Sequence, residues 1–184
     1  MLRTARLLTI ASLALAATSP RAQDAEEAAV RERAEAYLGA IDRPVPASAW
    51  RALGPDAVPF LTETLRGDDL TPRRAAAASG LAAIGGERAA EALLQAAQAE
   101  SERWPVRAAA VRGLGKVMAA ERLPVALQPI LEGTGAVAVR ALAADVLSRE
   151  APARTCSAIR AQVARESASD RAAFSKAAAR CGVR

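Results

Sequence analysis

The chain has 184 residues, a net charge of +5 and an apolar fraction of 52%, but only 3% of its residues are aromatic and it has no histidine. This length allows one domain of ordinary size, and the alanine-rich composition argues against a core of large side chains and favours closely packed helices. The lack of histidine removes the usual general base of enzymes and the usual metal ligand.

The first 22 residues have the features of a signal peptide. Arginines precede a 12-residue apolar run from Leu7 to Thr18, and cleavage is expected after Ala22 or, alternatively, after Ser19. The run is too short to span a bilayer comfortably, so a retained N-terminal membrane anchor is the less favoured alternative. Loss of residues 1–22 leaves 22 basic and 20 acidic residues, a net charge of +2, which weakens any argument for nucleic-acid binding.

Residues 23–44 are predicted to form an N-terminal capping helix and its connection. The stretch from Asp24 to Ile41 carries an apolar stripe at helical spacing. Pro44 and Pro46 then interrupt any helix, which predicts a short extended connection. The stripe consists of Ala29, Val30, Ala34, Tyr37, Leu38 and Ile41.

The chain repeats itself with a period of 33 residues. The segment "TPRRAAAASGLAAI" begins at Thr71, "WPVRAAAVRGLGKV" at Trp104, and a third copy, "VAVRALAADVL", at Val137. Thr71 is a candidate N-cap, and the prolines that follow Thr71 and Trp104 suit a first helical turn. The positions in register are Arg74, Arg107 and Arg140; Ala75, Ala108 and Ala141; Ala77, Ala110 and Ala143; and Leu81, Leu114 and Leu147.

Each copy is followed by a second helical stretch, so the predicted unit is a helix, a short turn and an antiparallel helix. An earlier unit contains "ASAWRAL", in which Trp50 falls near the position of Leu81 and Leu114. A fixed period of this size predicts a stacked array, because one unit cannot bury its apolar face alone. The recurring alanines let neighbouring first helices approach closely, and the recurring leucine supplies an apolar contact between units.

The units resemble HEAT repeats, in particular the short form found in HEAT-like bacterial proteins such as the phycobilin lyases. The resembling segments are "VRAAAVRGLGKV", "RRAAAASGLAAIGG" and "ALGPDAVPFLTETL", within residues 45–150. The resemblance implies an all-α fold, an α-α superhelix (α-solenoid) of stacked antiparallel helical hairpins. Ankyrin repeats share the period, but their TPLH signature is missing, and tetratricopeptide repeats need more aromatic residues than this chain has.

The resemblance also implies a ladder of ion pairs between the recurring arginines and acids that precede the helices. Asp69 and Glu102 stand five residues before Arg74 and Arg107. The corresponding position before Arg140 is glycine, so the ladder is expected to lapse in the third copy. A structural role for the three arginines is favoured over ligand binding.

Residues 151–184 are predicted to form a C-terminal helical hairpin that caps the array within the same domain. Cys156 and Cys181 are equidistant from the turn at Ser167 to Ser169, so they should lie side by side on its two helices. In an exported chain this predicts a disulfide; two unpaired buried thiols are the alternative. Two cysteines without histidine fall short of a metal site, and no C-x-x-C redox motif occurs.

No sequence motif predicts a catalytic, cofactor-binding or metal-binding residue. "GLGKV" at Gly113 to Val117 resembles a phosphate-binding loop, but it lies inside a repeated helix, where its glycines should permit close packing. The adjacent Asp68 and Asp69 are interpreted as solvated loop residues. No nucleophile elbow is present.

The preferred hypothesis is a non-catalytic protein-binding scaffold or adaptor, periplasmic or secreted, with no nucleic-acid partner and no membrane association after signal removal. The alternatives are an enzyme, such as a HEAT-like lyase or a subunit acting on a bound cofactor, and a purely structural companion of a larger complex. The concave surface of the second helices is the expected binding surface. The candidate partner contacts there, for each of which simple solvation is the alternative, are Glu63, Arg66, Gln95, Gln98, Gln128 and Glu132.

Overall fold

The computed structural model describes residues 20–40 and 43–183, which form ten α-helices and one short 3-10 helix and contain no strand. The predicted signal peptide lies outside the described residues, except for residues 20–22 at the start of the first helix. The helices are α1 (Pro20–Leu38), α2 (Ala47–Ala52), α3 (Ala57–Arg66), α4 (Thr71–Ile84), α5 (Glu87–Gln98), α6 (Trp104–Val117), α7 (Leu123–Glu132), α8 (Val137–Glu150), α9 (Pro152–Arg165), the 3-10 helix (Arg171–Phe174) and α10 (Ser175–Arg180).

The helices stack as antiparallel hairpins in two layers, as the sequence predicts for the fold class. In the first layer α4 packs between α2 and α6, and α6 packs on α8, which also contacts α10. In the second layer α3 packs between α1 and α5, α5 contacts α7, and α7 contacts α9. The core therefore runs along the whole stack.

The recurring residues of the first helices form the centre of this core. Leu81, Leu114 and Leu147 are fully buried, and Trp50 of α2, at the related position, is 3% exposed. Full burial of one leucine contributes about 2 kcal/mol, so these contacts between hairpins are a main source of stability. Alanines that are also fully buried are Ala77, Ala110 and Ala143.

Glycines set how closely the first-layer helices approach. A Cβ atom added at Gly80 would lie 2.8 Å from Cε3 of Trp50, and one at Gly113 would lie 3.1 Å from Cβ of Ala82. One at Gly115 would lie 2.8 Å from Cγ1 of Val146. The "GLGKV" stretch is therefore part of helix α6, where its glycines permit close packing.

Proline and glycine mark the helix boundaries. Pro72 and Pro105 lie in the first turns of α4 and α6, where the missing N–H has no helical partner to lose. Gly85 and Gly86 adopt φ values of 78° and 87° and turn the chain from α4 into α5. The expected N-cap role of Thr71 is wrong, because Leu70 is the N-cap and Thr71 is the first helical residue.

Helix α1 covers the first end of the array. Val30, Ala34 and Leu38 are buried against the core, and the ring of Tyr37 meets Trp50 edge-on with 5.3 Å between centroids. The helix begins before the expected Asp24 and ends at Leu38, and Ala29 of the predicted stripe is exposed. Residue 41, the last of that stripe, lies outside the described residues.

Candidate interaction surface

The arginine positions lie at one edge of the array, where second-layer helices end and the next first-layer helices begin. We call this edge, formed by residues 67–70, 99–103 and 133–136 together with the first helical turn that follows each of these loops, the loop edge. On it, Arg74 Nε donates to the carbonyl of Leu65 at 3.0 Å, and Arg74 Nη2 pairs with Glu102. Both side chains are largely buried, 15% and 10% exposed. Arg74 thus joins α4 to the end of α3 and to the loop before α6.

Arg107 occupies the same place one hairpin later, without an acid. Its Nε donates to the carbonyl of Ala97 at 3.0 Å, and the residue is 7% exposed. Glu102 follows Arg74 by 28 residues, and the residue 28 positions after Arg107 is Gly135. In the part of the chain that the structure describes, no carboxylate pairs with Arg107, so the expected pairing of Arg107 with Glu102 is wrong: Glu102 pairs with Arg74 instead.

Arg140 has a carboxylate partner that the sequence analysis did not find. Its Nε and Nη2 donate to the two carboxylate oxygens of Glu166, at 3.0 and 2.5 Å, and its Nη1 donates to the carbonyl of Gly135. The expectation that the ladder lapses at Arg140 is therefore wrong. Arg74 and Arg140 each reach forward to an acid of the following segment, and the glycine at position 135 leaves Arg107 without such an acid.

Glu166 is held ionised by its neighbours. The hydrogen bond from Arg140 lowers the pKa of the Glu166 carboxyl; burial acts in the opposite direction, and a hydrogen bond from Gln162 of 2.6 Å lowers the pKa further. Only 6% of Glu166 is exposed. This pair fastens the loop after α9 to α8.

Asp69 does not pair with Arg74. Its carboxylate lies 3.2 Å from Nε of Arg73, which also pairs with Glu35 of α1. The side chain of Arg74 is directed to Leu65 and Glu102, so Asp69 pairs with Arg73 instead. The pair of Arg73 and Glu35 therefore joins α4 to the capping helix α1, and Asp69 also pairs with Arg73.

The six candidate partner contacts lie on α3, α5 and α7, and the structure brings only some of them together. Arg66 donates to Gln95 across the α3–α5 boundary. Gln128 donates to Glu132 at 2.9 Å within α7, so this pair stands apart from the first. Glu63 lies 4.0 Å from Arg31 of α1, and Gln98 is exposed at the end of α5.

Other exposed polar residues on the second layer were missed by the sequence analysis. Arg31 lies over the ring of Phe60 at 4.7 Å, and Arg122, just before α7, lies 2.9 Å from Glu87 of α5. The sequence gives no sign of these contacts, because each joins residues about one repeat unit apart on different helices. Together they form a polar surface whose charges are mutually satisfied but exposed, so each pair contributes little to stability.

Among the described residues, three large apolar side chains are exposed: Leu70, Trp104 and Val125, at 75%, 55% and 81%. Leu70 and Trp104 lie at the N-terminal ends of the neighbouring helices α4 and α6, so both belong to the loop edge. Val125 lies on α7, away from that edge.

The two cysteines form a disulfide, as their spacing predicts. Cys156 of α9 and Cys181 after α10 are bonded with a Cα–Cα distance of 5.2 Å. Ile159, Val163 and Phe174 are buried beside them. A disulfide is typical of proteins in oxidising compartments.

Among residues 20–40 and 43–183, no helix combines the length and apolarity needed to cross a bilayer. The same residues hold no group of three or more cysteine, aspartate or glutamate side chains placed to bind a metal ion. Comparisons with protein-family models, with curated proteins and with solved structures found no match.

Proposed function

We propose that this chain is an exported, non-catalytic scaffold of HEAT-like helical hairpins that binds another protein in the periplasm or outside the cell. The observation that carries the proposal is the pair of exposed apolar side chains, Leu70 and Trp104, on adjacent helices of one edge. Tryptophan is enriched among the residues that dominate binding at protein interfaces. Most other large apolar side chains of the described residues are buried, whereas these two neighbouring positions are exposed to water.

The candidate polar contacts adjoin this edge. Arg66, Gln98 and Glu132 are the last residues of α3, α5 and α7, and the loops of the loop edge follow each of them. We propose that a partner contacts the loop edge and extends onto Glu63, Gln95 and Gln128 of the second layer. Arrays of stacked hairpins offer extended surfaces of this kind.

Affinity capture from an extract of exported proteins tests the binding proposal. The folded wild-type chain is expected to retain a specific protein, and Trp104→Ala is expected to lose it. Val125→Ala is the matched control, because it also removes an exposed apolar side chain but lies off the loop edge. Retention of nothing by the folded wild type, or equal retention by both variants, would contradict the proposal.

The N-terminus of the exported protein tests the localisation. The disulfide between Cys156 and Cys181 supports an oxidising compartment. Cleavage at the expected sites leaves Gln23 or Pro20 as the first residue, which N-terminal sequencing of the periplasmic or secreted fraction identifies. A full-length chain recovered only from the cytoplasm would argue against export.

A further inference from the structure

Arg107 is a buried arginine whose position on the loop edge lacks the acid found at the equivalent positions. Arg74 has Glu102, and Arg140 has Glu166. Arg107 is 7% exposed, more buried than an unpaired guanidinium ordinarily is, and its hydrogen bond from Nε to Ala97 leaves the terminal nitrogens without a partner among the described residues. An unpaired charge in such a place is costly, and an incoming carboxylate would offset that cost.

At position 135 the chain places a glycine, and not an acid, beside the end of the Arg107 guanidinium. A Cβ atom built on Gly135 would lie 2.9 Å from Nη1 of Arg107, so the glycine keeps side-chain atoms away from the end of the guanidinium. In the described part of the chain, the one fully sealed side-chain nitrogen without a hydrogen bond is Nε of Arg73, so the terminal nitrogens of Arg107 retain contact with solvent. The outer edge of a guanidinium presents two parallel N–H donors, which match the two oxygens of a carboxylate.

Trp104 stands one helical turn from Arg107 on α6. Residues three apart on a helix face the same side, and Trp104 is 55% exposed. Tryptophan and arginine are both enriched among the interface residues that dominate binding.

We propose that Arg107 binds the carboxylate of an acidic side chain of a partner protein, with the apolar part of the same segment lying against Trp104. The bound carboxylate takes the place that Glu102 and Glu166 fill within the chain. This proposal rests on the proposed scaffold function and names the chemistry that the scaffold recognises.

A titration of the ¹⁵N-labelled chain tests the site directly. The probe is the α-amide of N-acetylglutamate, and the control is the α-amide of N-acetylglutamine, which has the same shape without the charge, at constant ionic strength. The acid is expected to shift the Arg107 Nε–H and Trp104 indole resonances saturably, while Arg74, Arg140 and the buried Trp50 stay unchanged. Equal shifts with both probes, or no saturable shift at Arg107, would overturn the proposal.

A variant that supplies the missing acid provides the second test. Gly135→Glu places a carboxylate 28 residues after Arg107, as Glu102 follows Arg74, and only the flexible end of Arg107 has to move to admit it. We expect it to raise the melting temperature above that of Gly135→Gln and to weaken binding of the acid probe by about tenfold or more. Unchanged binding of the acid probe by a folded Gly135→Glu variant would contradict the proposed carboxylate site.

The two proposals fail in different ways. If the titration succeeds and the chain captures no protein, the carboxylate site stands and the scaffold function fails. If a partner is captured equally by the wild type and Gly135→Glu, the scaffold function stands and the carboxylate site fails.

Discussion

At the scale of single residues, the pair of Arg140 and Glu166 couples the last loop of the array to the pH of its surroundings. Folding lowers the pKa of Glu166, so its carboxylate contributes stability that is present above its ordinary value of 4.5 and is lost as the pH falls toward the folded value. Its partner is buried with it, so the loss of the charge leaves Arg140 uncompensated.

Glu166→Gln is expected to lower the free energy of unfolding at neutral pH by about 3 kcal/mol. It should also reduce the fall in stability as the pH drops below about 4.5, because the wild type loses the same charge by protonation there. Urea unfolding at a series of pH values measures both effects. Glu121→Gln, at an exposed position outside the ladder, is the control and should leave stability within about 0.5 kcal/mol of the wild type; a wild-type slope retained in Glu166→Gln would refute the assignment.

Residue pairing was the part of the site least accessible from the sequence. A 33-residue register predicts that each acid follows its arginine at the same distance. Glu166, however, follows Arg140 by 26 residues, whereas Glu102 follows Arg74 by 28. The segment after α9 is not a copy of the earlier loops, so a fixed period points to the wrong residue. The direction in which an arginine side chain reaches is set by packing and is absent from the pattern.

At the scale of elements, neighbouring first-layer helices pack closely because a glycine on one helix faces a larger residue on the other. Ala82 of α4 faces Gly113 of α6, and Gly115 of α6 faces Val146 of α8. Positions 82 and 115 are 33 apart, as are 113 and 146. At the first boundary the larger side chain is on the earlier helix, and at the second it is on the later helix. In both cases the glycine opposite lets the helices approach closely.

Gly115→Ala is therefore expected to destabilise the chain by about 1–3 kcal/mol, because its new methyl group meets Val146. Without that neighbour the same change would stabilise a helix by about 1 kcal/mol. Adding Val146→Ala should recover part of the loss, so the two changes together should cost less than their sum in urea unfolding. Stabilisation by Gly115→Ala alone would refute this packing.

The disulfide between Cys156 and Cys181 stabilises the last pair of helices. Its closed loop spans 25 residues, for which chain entropy gives about 3 kcal/mol. The double variant Cys156→Ala, Cys181→Ala is expected to lose about this much in urea unfolding. Dithiothreitol should bring the wild type to the same level and leave the variant unchanged; a wild type insensitive to reduction would contradict the expectation.

Elements were the level that the sequence predicted best. The repeated positions Leu81, Leu114 and Leu147 are buried alike, and the symmetric placement of the cysteines about one turn predicts their bond. Both patterns depend on regular helix geometry, so the contacts that they imply can be predicted from residue spacing alone. The start of α1 was missed because the sequence before Asp24 reads as a signal peptide rather than as helix.

At the scale of the whole molecule, each hairpin is held by its neighbours alone. The centre, around α4 and α6, has a neighbour on both sides, whereas the end near α10 has one neighbour and the disulfide. Stability in such arrays varies along the chain, and the ends open first.

Hydrogen exchange should show this gradient. Reduction of the disulfide is expected to speed exchange of amides in α9 and α10 while leaving those of α4 and α6 unchanged in native conditions. Mass spectrometry of peptic fragments before and after reduction measures the difference, with the cysteine-free variant as the control. A uniform increase along the chain would mean that the array unfolds as one unit.

The pairing of a glycine with a larger residue at the hairpin boundaries also restricts how such a chain can grow by internal gene duplication. A second copy of residues 71–103 would set Ala82 against Gly80 of its copy, which repeats the native fit of Ala82 on Gly113. A second copy of residues 104–136 would set Gly115 against Gly113 of its copy, two glycines facing across a gap. Duplication of residues 71–103 would thus keep the packing between first-layer helices, whereas duplication of residues 104–136 would leave a gap between them. The size of a few side chains therefore restricts which hairpins can be added.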